Sequence, residues 1–72
     1  MANRPEDELP VLIGRRVREL RTQLGLSGRQ LAAAAEVSQP FLSQLESGRT
    51  SVSLSTLYRV AHALGVTGPE LL

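Results

Sequence analysis

The sequence predicts an all-α domain of five short helices, on three observations. Apolar residues recur at helical spacing, and no stretch alternates in the way a half-buried strand does. Ser27 with Gln30, and Thr67 with Glu70, have the spacing of a helix-starting capping box, while Gly25, Gly48 and Gly65 stand where periodic segments stop. The third observation is the stretch 27–48, SGRQLAAAAEVSQPFLSQLESG, which reads as two short helices joined by a tight turn. The rest of the chain is organised around it.

At 72 residues the chain is one domain, and a domain this small buries only about 60% of its unfolded surface. Every element must therefore feed one core. The absence of cysteine excludes disulfides, a thiolate nucleophile and Cys-ligated metal, and suits a reducing cytosol. No run is long enough to span a bilayer, and no basic stretch leads an apolar core at the N-terminus. The expectation is a soluble cytoplasmic protein with no membrane association.

Net charge is +1, but unevenly shared. Residues 1–10 set Arg4 against Glu6, Asp7 and Glu8, giving −2, so residues 11–72, with seven Arg and four acids, carry +3. All eight basic residues are Arg, whose planar fork suits phosphate and guanine.

Taken in order, residues 1–10 hold two prolines and an acid cluster without periodicity, and read as a flexible N-terminal tail. The first helix runs from Val11 to Leu24 with Ile13, Val17, Leu20 and Leu24 as its inward stripe. Arg15 and Arg18 fall opposite that stripe and Arg21 on its flank, placed to turn inward. Ser27 and Gln30 cap the second helix, whose core face is Leu31 to Ala35. Glu36-Val37-Ser38 forms the turn. Ser38 caps the third helix, Gln39 to Ser47, with Pro40 tolerated in the first turn because the amides there lack intrahelical acceptors. Leu42 and Leu45 face in, and Gln39, Ser43, Gln44 and Ser47 face out. Ser53 caps a fourth helix with Leu54, Leu57, Val60, Ala61 and Leu64 inward and Tyr58, Arg59 and His62 outward. Thr67 to Glu70 opens a fifth, which reaches Leu72 after about one turn and reads as a docking stub or the beginning of a longer segment.

Residues 13–72 resemble the XRE (phage repressor and Cro) helix-turn-helix family in one collinear match. The residues carrying the resemblance are Ile13-Gly14, Arg21, Leu24 to Ser27, Leu31-Ala32, Val37-Ser38, Leu42-Ser43, Leu45 to Gly48, Leu54, Leu57 and Ala63 to Val66. Residues 41–72 look most like the N-terminal domains of regulators carrying a downstream cupin-type sensor. The resemblance implies a compact five-helix, phage-repressor-like DNA-binding domain over residues 11–72, with a central helix-turn-helix.

It further implies that Gln39, Pro40, Ser43 and Gln44 read bases in the major groove, where Gln39 and Gln44 can meet adenine N6/N7 or a phosphate. Phe41 sits between core and groove, with core favoured over a thymine methyl. Arg49, Thr50 and Ser51 would hold phosphate after the recognition helix. Gly28 stands where the family commonly has a phosphate-touching Gln, so that contact is missing or passes to Arg29 or Gln30. Glu36 replaces the usual turn Gly, and must adopt a left-handed conformation at a cost of about 1 kcal/mol or reshape the turn. Glu46 matches a family Glu that pairs with the Arg at the position of Arg21, which makes it a scaffold residue.

Catalysis has little to stand on. His62, the only histidine, has no acid or nucleophile at usable spacing; Ser27, Ser38 and Ser53 read as caps; and no phosphate-loop or metal-ligand spacing appears. The expectation is no enzyme, no metal and no cofactor. The chain is expected to be a sequence-specific transcriptional regulator, a repressor, binding an inverted-repeat operator in double-stranded DNA as a homodimer. The rival is a protein-interaction module such as an antitoxin, since one fold serves several functions.

Overall fold

Four α-helices and a closing 3-10 turn build the domain: α1 Pro5–Gln23, α2 Gly28–Ala35, α3 Gln39–Glu46, α4 Leu54–Leu64 and the turn Gly68–Leu71. The computed structural model describes residues 5–72, with side-chain surroundings from Glu8 onward, and holds no strand among them. No described helix is long and apolar enough to cross a membrane.

The first helix corrects the expected tail. Residues 1–4 lie outside the described residues, but α1 begins at Pro5 and not at Val11, and carries Pro10 inside it. A proline there forfeits one amide hydrogen bond, and the acidic run Glu6-Asp7-Glu8 has the composition that a helix N-terminus favours. The other end is also corrected. The expected fifth α-helix is one 3-10 turn, Gly68–Leu71, in which the Thr67 amide donates to Glu70 Oε2 at 3.2 Å.

Caps set the starts of the other helices. Ser27 Oγ accepts from the Gln30 amide at 3.0 Å while Gln30 Oε1 accepts from the Ser27 amide at 2.8 Å. Ser38 Oγ accepts from the Phe41 amide, and Ser53 Oγ from the Thr56 amide. All four helices end alike: the amides of Leu26, Val37, Arg49 and Val66 each reach back five residues to a carbonyl, around a left-handed residue. Three of those residues are Gly25, Gly48 and Gly65; the fourth is Glu36, at φ 59. Glu36 therefore takes the left-handed option and keeps the turn shape, at the cost an L side chain incurs there.

One core collects a face of every element: Ile13 and Val17, Leu31, Ala32 and Ala35, Leu42 and Leu45, Leu57, Val60, Ala61 and Leu64, and Leu71. Leu20, Val37 and Phe41 pack against it partly buried. Two expected core residues stay out. Leu24, just past the end of α1, is 55% exposed, and Leu54, the first residue of α4, is 66% exposed.

Within this core α2 packs chiefly on α4 and α1 on α3. The α1–α3 contact is close because Gly14 is buried in it: a Cβ there would stand 2.7 Å from the Glu46 carbonyl oxygen and nearer still to that of Leu45. Seven residues along the same flank of α1, Arg21 forms a bidentate pair with Glu46, Nε to Oε2 at 2.7 Å and Nη2 to Oε1 at 2.9 Å. Its third nitrogen, Nη1, donates to the Leu26 carbonyl at 3.0 Å. The side chains are only 15% and 11% exposed. The Glu46 hydrogen bond raises the Arg21 pKa above its ordinary value, against the opposing effect of burial. A raised pKa for a cation means that its stabilisation is complete below the unfolded value and fades only as pH climbs past the folded one, so Arg21 keeps its charge throughout the physiological range.

Two variants test this packing. Gly14→Ala should lower stability by about 1–3 kcal/mol in chemical denaturation, although alanine is the better helix former, because backbone carbonyls must give way. Glu46→Ala strands a mostly buried guanidinium and should cost about 3–5 kcal/mol; an unchanged melting temperature would contradict the role given to the pair.

Candidate nucleic-acid interface

Eight residues of α3 divide cleanly between inside and outside. Leu42 and Leu45 are buried, Phe41 and Glu46 intermediate, and Gln39, Pro40, Ser43 and Gln44 exposed. Among the described residues the side chains of Gln39, Ser43 and Gln44 make no hydrogen bond, whereas Ser47 Oγ donates to the Gln44 carbonyl at 3.1 Å. The expected base-reading set is thus one exposed surface whose polar groups are uncommitted. Phe41 turns from it: it packs against the core and borders a hollow with Val37, Ser38, Thr56 and Arg59.

The residues expected to hold phosphate come from two segments that Arg21 draws together. One is the start of α2, just after Leu26, and the other the loop after α3, just after Glu46; a single guanidinium bonds both Leu26 and Glu46. Arg29 and Arg49 are exposed and form no ion pair among the described residues. Gln30 is exposed as well, but its amide oxygen is committed to the Ser27 cap, so only its NH2 group remains to donate. Thr50 is half-buried and donates its hydroxyl to the Ser51 carbonyl at 3.2 Å, leaving acceptor capacity but no free proton; Ser51 is exposed. The basic contribution to this surface is therefore two arginines, one from each segment.

Two residues gain a place that sequence reasoning did not give them. Gly14 admits α3 to α1, and the signal was its position seven residues before Arg21 on the same helical flank. Arg59, read as facing outward, is exposed and borders the hollow beside Ser38 and Phe41, one turn from Thr56. Its Nη2 lies 3.4 Å from Thr56 Oγ1.

Away from α3 the chemistry is sparse. His62 is exposed with Tyr58 on the outer face of α4, beside shallow hollows against Ala34 to Glu36 and against Val66 to Pro69. Among the described residues no three His, Cys, Asp or Glu side chains gather as metal ligands would.

Comparison with known proteins bears on the same segments. A helix-turn-helix family model, HTH_3, matches residues 17–71. The HTH-type transcriptional regulator DdrOP3 of Deinococcus deserti is 49% identical over 57 residues, covering 79% of this chain and 44% of that protein. The chain thus spans less than half the length of that relative. Among solved structures, the restriction-modification controller protein C.AhdI of Aeromonas hydrophila superposes with a TM-score of 0.85 at 36% identity, over 88% of this chain and 96% of that one. The clp gene regulator ClgR of Corynebacterium glutamicum superposes with a TM-score of 0.83 at 40% identity, over 88% and 82%. With the family match running from the last third of α1 to the closing turn, and relatives of this identity, the chain belongs to the helix-turn-helix family, of the XRE type.

Proposed function

We propose that the chain is a sequence-specific DNA-binding transcriptional regulator that sets α3 into the major groove of an operator. Gln39, Pro40, Ser43 and Gln44 meet base edges, while Arg29, Gln30, Arg49, Thr50 and Ser51 hold the flanking phosphates. Base contacts specify, and phosphate contacts position. The observation that carries this reading is the outward face of α3: exposed, neutral and uncommitted, on a helix whose other side is locked to α1 and the core. The names of the relatives support it, all three being regulators or a controller.

A face of four residues and two arginines is too small for tight binding on its own, so the working form is a homodimer on an inverted repeat with half-sites about one helical turn apart. It acts as a repressor, in the cytoplasm where its DNA is. The rival, an antitoxin-like protein-binding module, draws on a different surface: Leu54 and Tyr58 lie one turn apart on α4, 66% and 52% exposed. A protein-binding groove would want such apolar anchors on α3 too, and α3 offers polar groups.

Salt separates the two readings. Duplex binding followed by fluorescence anisotropy should weaken steeply and linearly in log–log form as salt rises. Arg49→Ala should weaken binding to all sequences alike and lower the slope by about 1. A salt-independent association would contradict the assignment.

A further inference from the structure

Granted that α3 lies in the major groove, a reading on which the base assignment depends, its outward surface has a restricted chemistry. Gln39, Ser43 and Ser47 follow one line along the helix at four-residue steps, and Pro40 and Gln44 the next. Pro40 and Ser47 fall nearest the middle of the outward arc. The hydroxyl proton of Ser47 is committed to the Gln44 carbonyl, and Phe41 is turned to the core. What remains in the two leading turns is two primary amides, one hydroxyl and one rigid apolar ring.

Cations are missing from it. The α3 sequence, QPFLSQLE, holds no Arg or Lys, and its one acid, Glu46, is bound by Arg21. Guanine O6/N7 is best met by Arg or Lys and cytosine N4 by an acid, so neither preferred partner of a G·C pair is on offer. Adenine N6/N7 suits a glutamine amide, with its donor and acceptor side by side. Pro40 narrows the choice further. Its exposed atoms are all carbon, so against a purine edge it would cover hydrogen-bonding groups and return nothing. Against a thymine it covers the 5-methyl group, and its closed ring loses almost no side-chain freedom in doing so.

We propose that this face reads A·T pairs, with Gln39 and Gln44 each meeting an adenine through N6/N7 and Pro40 packing on the 5-methyl group of a neighbouring thymine. Pro40 is then a specificity residue as well as a residue of the first helical turn. Its helix role predicts no dependence on a methyl group of the DNA.

Selection from a random duplex pool with the whole chain, followed by anisotropy on the selected site with uracil replacing thymine one position at a time, tests this. Uracil removes the methyl group and leaves the pairing intact. The expected result is a half-site with at least two A·T pairs, one of whose thymines loses roughly fourfold in affinity as uracil, the worth of one buried methyl group. In Pro40→Ala, and in Pro40→Ser as a second variant, both checked by melting, that uracil penalty should shrink toward onefold. A G·C-centred half-site, an absent uracil penalty in the unaltered chain, or a penalty unchanged in folded Pro40 variants would overturn the assignment and leave DNA binding standing. Failure to enrich any sequence would overturn the DNA-binding reading itself.

Discussion

The domain depends on one guanidinium. Arg21 gives two nitrogens to Glu46 on α3 and the third to the Leu26 carbonyl between α1 and α2, so three segments share one planar group. Against an apolar pair of the same volume such an ion pair adds little net stability, because both charges must leave water. What it supplies is geometry. A planar fork fixes distance and angle together, and here it fixes the end of α3 against α1 while holding the approach to α2. Gly14 makes the same contact possible from the backbone side, since a Cβ there would run into the Leu45 and Glu46 carbonyls and force the two helices to shift.

The rest of the molecule is economical because it is small. The helices α2, α3 and α4 each start on a serine cap, all four helices end on the same backward-reaching amide, and each contributes a face to a single core. Three helix endings use glycine; the turn before α3 uses Glu36 in the left-handed region. That turn is held by Val37 packing on the core and by the Ser38 cap, which together tolerate a strained residue at the entrance to α3. The surface that would face DNA is left with no internal work beyond the Ser47 hydroxyl, the Gln30 cap and the Thr50 hydroxyl.

Most of this was legible in the residues. Helical spacing and caps located α2, α3 and α4, and the flank position of Arg21 marked it as turned inward. The failures have separate physical causes. Two prolines obscured the start of α1, although one of them opens the helix and the other costs it a single hydrogen bond. A capping box announced a fifth α-helix, but one turn is too short to choose α over 3-10 geometry. Leu24 and Leu54 continue the apolar period past the point where a neighbour covers them, which spacing alone does not reveal. Thr50 was read by residue type as a phosphate contact, yet its hydroxyl proton goes to the neighbouring Ser51 carbonyl.

In the proposed function a rigidly held α3 presents Gln39, Pro40, Ser43 and Gln44 to DNA while the two arginine-bearing segments flank it. Titrating duplex DNA into 15N-labelled chain and following backbone amide shifts tests this most directly. Perturbation is expected to concentrate at residues 28–30, 39–44 and 49–51. Shifts concentrated instead on the outer face of α4, around Tyr58 and His62, would contradict it.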